Sequence, residues 1–201
     1  MESNNSLRIW EISALLSLCV CLCACLWAQG RQKSIAGELL RLHVLAASDA
    51  AEEQAVKLAV RDAVLEYLTP RLAGIGSAAE AEEILRGDLD GIREAAASAA
   101  GGRAVSVSLG EEGYPTRDYA GFRLPAGRYR SLRIVLGEGK GHNWWCIVFP
   151  PVCLSAIQRE ALRPAMNPED YALITREEGW EIRFRLVELW GELTQREKKE
   201  E

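Results

Sequence analysis

The sequence predicts an α+β domain, an antiparallel sheet of about four strands with helices packed on one face, preceded by an N-terminal hydrophobic helix. Three observations predict it: an uncharged apolar run near the N-terminus, two helical stretches in the first half, and period-two alternation through much of the second half. With 201 residues and 48% apolar content, the chain holds enough for one ordinary core once the N-terminal run is set aside. The expected division is a short tail (1–11), a signal peptide or membrane anchor (12–30), one extracytoplasmic domain (31–195) and a charged disordered tail (196–201).

The run from Ile12 to Ala28, ISALLSLCVCLCACLWA, carries no charge, and the next basic residue is Arg31. Its length falls between a signal-peptide core of about 7–15 residues and the roughly 20 that span a bilayer, so removal and retention both remain open. Ala28 suits the last position before a cleavage site and Leu26 does not suit the third-last. The charges flanking the run, Arg8 on one side and Arg31 and Lys33 on the other, do not fix its orientation. The very short tail before it favours keeping that end inside.

Glu38 to Leu45 places Leu40, Leu42 and Val44 on one face of a strand and Arg41 and His43 on the other, the pattern of a half-covered strand. A helix follows from the Ser48-Asp49 pair. Asp49 with Glu52 makes a capping-box-like start, Val56, Val60, Val64 and Tyr67 form the apolar stripe, and Pro70 marks the end. A second helix opens at Ser77, with Glu80 in capping relation, and runs to Gly101-Gly102. Gly87 and Gly91 weaken its middle enough to split it.

Val105, Val107 and Leu109 alternate with serines in a strand with one wet face, and another strand covers Tyr129 to Leu136. Between them, Tyr114 to Tyr119 reads as a turn-forming loop, either a contact surface or an aromatic latch over the sheet edge. The loop Gly137–Gly141 lacks both nucleotide-binding glycine spacings and reads as a tight connection into NWWCIVF, which, apolar on both faces, suggests a central covered strand. Ile182, Leu186, Leu189, Trp190 and Leu193 suit a final amphipathic helix.

A net charge of −5 and a pI near 5.3 give no polycationic field, so nucleic-acid binding is not expected. Two histidines and no paired zinc spacing argue against a metal, and no cofactor or small-molecule substrate is expected. Four cysteines lie inside the apolar run as small membrane residues. Cys146 and Cys153, flanking IVFPPV, are either a disulfide or two buried thiols. Cys146 could instead be a nucleophile served by His142 or His43, making an extracytoplasmic thiol hydrolase. Residues four apart on a strand lie about 13 Å apart, which weighs against the His142 pairing. A cell-wall-binding module is a further alternative. His142, Asn143 and the two tryptophans that follow have the make-up of a recognition patch, polar groups beside aromatics.

Together, RLHVLAASDAAEEQAVKLAVRDAVLEYL (41–68), PAGRYRSLRIVLGEGKGHNWWCIVFPPVC (125–153) and IRFRLVELW (182–190) resemble stage II sporulation protein R of endospore-forming Firmicutes. GKGHNWWC followed by FPPxC is the most specific part, and Ala47 departs from it where the family favours Asn. The resemblance implies a signal exported from the forespore into the space between two membranes. There it would activate a membrane-embedded aspartic protease of the mother cell, which processes the precursor of the early mother-cell sigma factor. The expected partners are then that protease and, through residues 12–30, the membrane. The candidate partner surface is His43, Arg61, His142, Asn143, Trp144 and Trp145, with no catalytic set.

Overall fold

The computed structural model describes residues 2–119, 121–150 and 158–175. Cys153, the helix expected over 182–193 and the tail 196–201 lie outside the described residues.

Helix α1 (Glu2–Gly37) carries the apolar run without a break. At 1.5 Å per residue it is about 54 Å long. Its stretch Arg8–Gly37 is long and apolar enough to cross a membrane, and its large apolar side chains from Ile9 to Trp27 lie exposed. The far end behaves differently. Ile35, Ala36 and Leu39 are buried in the domain, Arg31 pairs with Glu169 and Asp170, and the Glu38 carboxylate accepts from the Asn167 N–H at 3.0 Å.

Strand β1 (Leu40–Leu45) follows at once, then α2 (Ala51–Leu68), α3 (Ala78–Gly87) and α4 (Leu89–Ala99). The expected second helix is therefore split, with Gly87 closing α3 and Asp88 standing between the two. Ser77 caps α3 as expected, its hydroxyl accepting from the Glu80 N–H at 3.2 Å. The cap expected at Asp49 does not form, because α2 starts after Ala50 and no side chain caps it.

The second half supplies β2 (Val105–Tyr114), the short hairpin β3 (Arg117–Tyr119) and β4 (Phe122–Leu124), β5 (Gly127–Leu136) and β6 (Asn143–Phe149). Helices α5 (Gln158–Leu162) and α6 (Pro168–Thr175) complete the described chain. The main sheet has four strands in the order β2-β5-β1-β6. The class is α+β, as the sequence predicts, but the sheet is mixed: β1 runs parallel to β5, while β2–β5 and β1–β6 are antiparallel. The parallel pair arises because three helices, β2 and the β3–β4 hairpin intervene between β1 and β5, a connection long enough to return the chain in the same direction.

Leu40, Leu42, Val44, Leu132, Ile134 and Leu136 face α2–α4 and form the main core with Val60, Val64, Leu85, Ile92 and Ala96. Each fully buried Leu or Ile there is worth about 2 kcal/mol. The opposite face is also covered at one end, where the base of α1, the β3–β4 hairpin, α5 and α6 enclose a second cluster around Tyr114, Phe122, Tyr129 and Ile147.

This second cluster corrects two readings. Strand β1 is covered on both faces and central, so Arg41 is fully buried and not on a wet face. Its alternation hid this because aromatic rings, and not solvent, receive its charge. Strand β6, read as central, is the outer strand of the described sheet, and its first residues are exposed.

Candidate functional site: a docked loop, an aromatic edge and a buried cationic face

The six candidate residues fall into two groups on opposite faces of the sheet. Residues directly opposite on antiparallel strands share a face. Val44 faces Trp144 and Leu42 faces Cys146 on the helix side, whereas His43 faces Trp145 on the other.

At the end of the sheet where Leu45 meets Asn143, residues 137–142 fold against the start of α2. The amides of Gly141 and Lys140 donate to the carbonyls of Ala46 and Ala47 at 2.9 and 3.3 Å. Asp49 accepts from the His142 backbone N–H at 2.6 Å and from its ring Nδ1. Lys57, nearly buried, donates to the His142 carbonyl at 3.0 Å and to Gln54 at 2.6 Å, and Gln54 donates onward to the Ser48 carbonyl. The His142 N–H and ring together hold the Asp49 carboxyl below its ordinary pKa, and burial holds the Lys57 ammonium below its own. Gly141 is obligatory here, since a Cβ would strike the Ser48 carbonyl. Gly139 takes φ +63°, where a side chain would press on Val135.

Beside this loop Trp144 is exposed at 36%, and the Arg61 guanidinium from α2 stacks on it, 4.5 Å from the ring centroid. His142 and Asn143 are exposed next to it. Arg61, His142 and Trp144 form one pre-shaped surface, with the loop network fixing its backbone, whereas Asn143, opposite Leu45, alternates to the face of His43 and Trp145. The position of this surface relative to α1 follows from register. Gln32 packs on Gly127, Leu40 pairs with Arg130 and Leu45 pairs with Val135. The chain therefore climbs along β5 in one direction, and the surface lies about 26 Å beyond the level of Gln32 at 3.3 Å per residue.

His43 and Trp145 belong to the other face, where they are largely enclosed. His43 Nδ1 meets Glu112 at 3.1 Å, and the His43 ring lies 5.7 Å from Trp145 and 6.2 Å from Tyr114. Glu112 is also approached by Arg133 at 3.4 Å. Burial pushes the Glu112 carboxyl up, but hydrogen bonds from His43 and Ser131 and the neighbouring positive charge outweigh it, leaving the group ionised below its usual range. Arg41 lies among Tyr114, Tyr129 and Tyr119, 4.1, 5.0 and 5.8 Å from their centroids, and donates to the Tyr119 hydroxyl at 2.7 Å. Tyr119 in turn stacks on Phe122, so the aromatic-latch reading of this segment describes it. Burial raises the pKa of all three tyrosines, which stay neutral.

This geometry separates Cys146 from His43 by the thickness of the sheet, and the His142 ring is engaged by Asp49. Cys146 is disulfide-bonded, while Cys19, Cys21, Cys23 and Cys25 are free. A sulfur in a disulfide carries no thiolate to attack with. Among the described residues no three His, Cys, Asp or Glu side chains gather in a way that could hold a metal. Sequence reading missed Asp49, Lys57, Arg41, Glu112 and Arg117. Asp49 was visible as a cap, but its true partner lies 93 positions away.

A family model described as stage II sporulation protein R matches residues 36–159. The stage II sporulation protein R of Bacillus subtilis (strain 168) is 29% identical over 185 residues, covering 79% of this chain and 83% of that protein. No solved structure matches.

Proposed function

Since this chain belongs to the stage II sporulation protein R family, we propose that it is a non-enzymatic sporulation signal, secreted or membrane-tethered, that activates a membrane-embedded aspartic protease of the mother cell. The protease then processes the precursor of the early mother-cell sigma factor. The signal leaves the forespore through α1 and works in the space between the two membranes.

The observation that carries this reading is the pre-shaped surface of His142, Trp144 and Arg61, held at the end of the sheet remote from α1. Exposed aromatic and arginine side chains on a fixed backbone are the usual anchors of a protein interface. Activation by a bound protein needs only that the surface bind the active state of the protease more tightly than the inactive one. We place the bridge of Cys146 with Cys153, which would tie β6 to the segment after it. His43 and Trp145 then act as support behind the surface.

Co-expression of the intact chain with the protease and the sigma precursor in a non-sporulating host tests this. Cleavage that depends on the chain is expected, and cleavage indifferent to it contradicts the proposal.

A further inference from the structure

On the face opposite α2–α4, two guanidiniums keep buried N–H groups without an acceptor among the described residues. Arg41 is fully buried; its Nε donates to the Cys146 carbonyl at 3.3 Å and its Nη2 to Tyr119, but Nη1 is buried with no acceptor. Arg117 stands two residues before Tyr119 on β3, hence on the same side of that strand. Its guanidinium lies 3.9 Å over the Trp145 ring, and its Nε is likewise buried without an acceptor. Neither arginine has a carboxylate partner among the described residues. His43 Nε2 is a third buried nitrogen without a partner and becomes a donor when the ring is protonated. The carboxylate that faces this cluster, Glu112, is already shared by His43 and Arg133. The surrounding tyrosines are neutral and cannot compensate.

An unpaired buried guanidinium is costly, and a buried N–H without an acceptor adds to that cost. Aromatic rings offset part of it, but they leave the N–H edges unused. Arg41 lies over Tyr114, whose ring is 6.1 Å from that of Trp145, and Arg117 lies over Trp145, so the two guanidiniums flank one aromatic group. Arg117 and Trp145 are only partly covered and form the rim, with Arg41 behind them.

We propose that this rim is a receptor for a carboxylate, an Asp or Glu side chain presented by the partner protein. A planar carboxylate matches the paired N–H geometry of a guanidinium edge. Only the source of the carboxylate rests on the signalling function proposed above; the chemical class rests on the cluster itself.

The test is a titration of the purified full-length chain in detergent, followed by NMR of the Trp145 indole and the His43 ring. The probes are N-acetylglutamate methylamide, its glutamine analogue and inorganic phosphate. Saturable shifts with the glutamate probe alone are expected, with at least a tenfold loss of affinity in Arg117→Gln and partial retention in Arg117→Lys. Melting temperatures of both variants should stay within a few degrees of the parent, because an unpaired cation contributes little to the free fold. Equal response to the glutamine probe or to phosphate, no response to any probe, or an unchanged response in Arg117→Gln overturns the proposal. Probe binding without chain-dependent cleavage in the co-expression assay would instead sink the signalling function and leave this site standing.

Discussion

Asp49 receives both the backbone N–H and the ring Nδ1 of His142, joining the start of α2 to the loop that leads into β6. Residues 93 positions apart thus define one end of the sheet, and the exposed Trp144 stands on the backbone they fix.

Gly141→Ala tests that docking. The added methyl meets a backbone carbonyl, which cannot rotate away, so the loop must lift from Ser48. The substitution should cost about 1–3 kcal/mol, the usual range for overpacking, in urea denaturation. A Gly102→Ala control, where a Cβ meets open space but φ is +80°, separates backbone strain from collision. Equal effects of the two would show that the Ser48 contact is unimportant.

Acid should loosen the fold through Asp49 and Glu112. Both carboxyls titrate below their ordinary values of 3.8 and 4.5 in the folded chain. Groups with depressed folded pKa values stabilise above the unfolded value and lose that contribution as pH falls through the folded one. Unfolding free energy should therefore be flat near pH 6 and decline from about pH 5 downward, with a shallower decline in Asp49→Asn. Parallel pH curves for parent and variant would remove Asp49 from the account.

The cysteine bridge predicts equal effects at its two ends. Cys146→Ser and Cys153→Ser should each lower stability by about 2–3 kcal/mol under oxidising conditions, as expected for so short a closed loop, and the double variant should cost no more. Thiol titration of the unfolded parent should find four free sulfhydryls, those of Cys19, Cys21, Cys23 and Cys25. Loss of function from Cys146→Ser alone, in a normally stable protein, would revive the nucleophile.

The helix that carries the apolar run should also prove part of the domain. Ile35 is fully buried, so Ile35→Ala should cost about 2–4 kcal/mol in the full-length chain. A cost under about 1 kcal/mol would mean that α1 stops contributing before Ile35.

What could be read from sequence was whatever local spacing determines. The Ser77–Glu80 cap, the α2 stripe and the alternation of Val105, Val107 and Leu109 each follow from residues a few positions apart. What could not be read was set by distant partners. Arg41 looked solvated because three tyrosines that enclose it are 73 or more positions away, and β6 looked central because Cys146 and Val148 pack on the main core while Trp145 and Ile147 pack on the second cluster. Asp49 looked like a cap for the same reason. The parallel pairing of β1 with β5 has no signature in either strand.

The central claim is that the Trp144 and Arg61 surface delivers the signal. Precursor cleavage should be measured in the co-expression system with the intact chain, Trp144→Ala and Arg61→Ala, each quantified for folded protein. At least a tenfold loss of cleavage in both variants at normal folded levels is the predicted result, as expected for interface anchors. Full cleavage with either variant at the same level would contradict it.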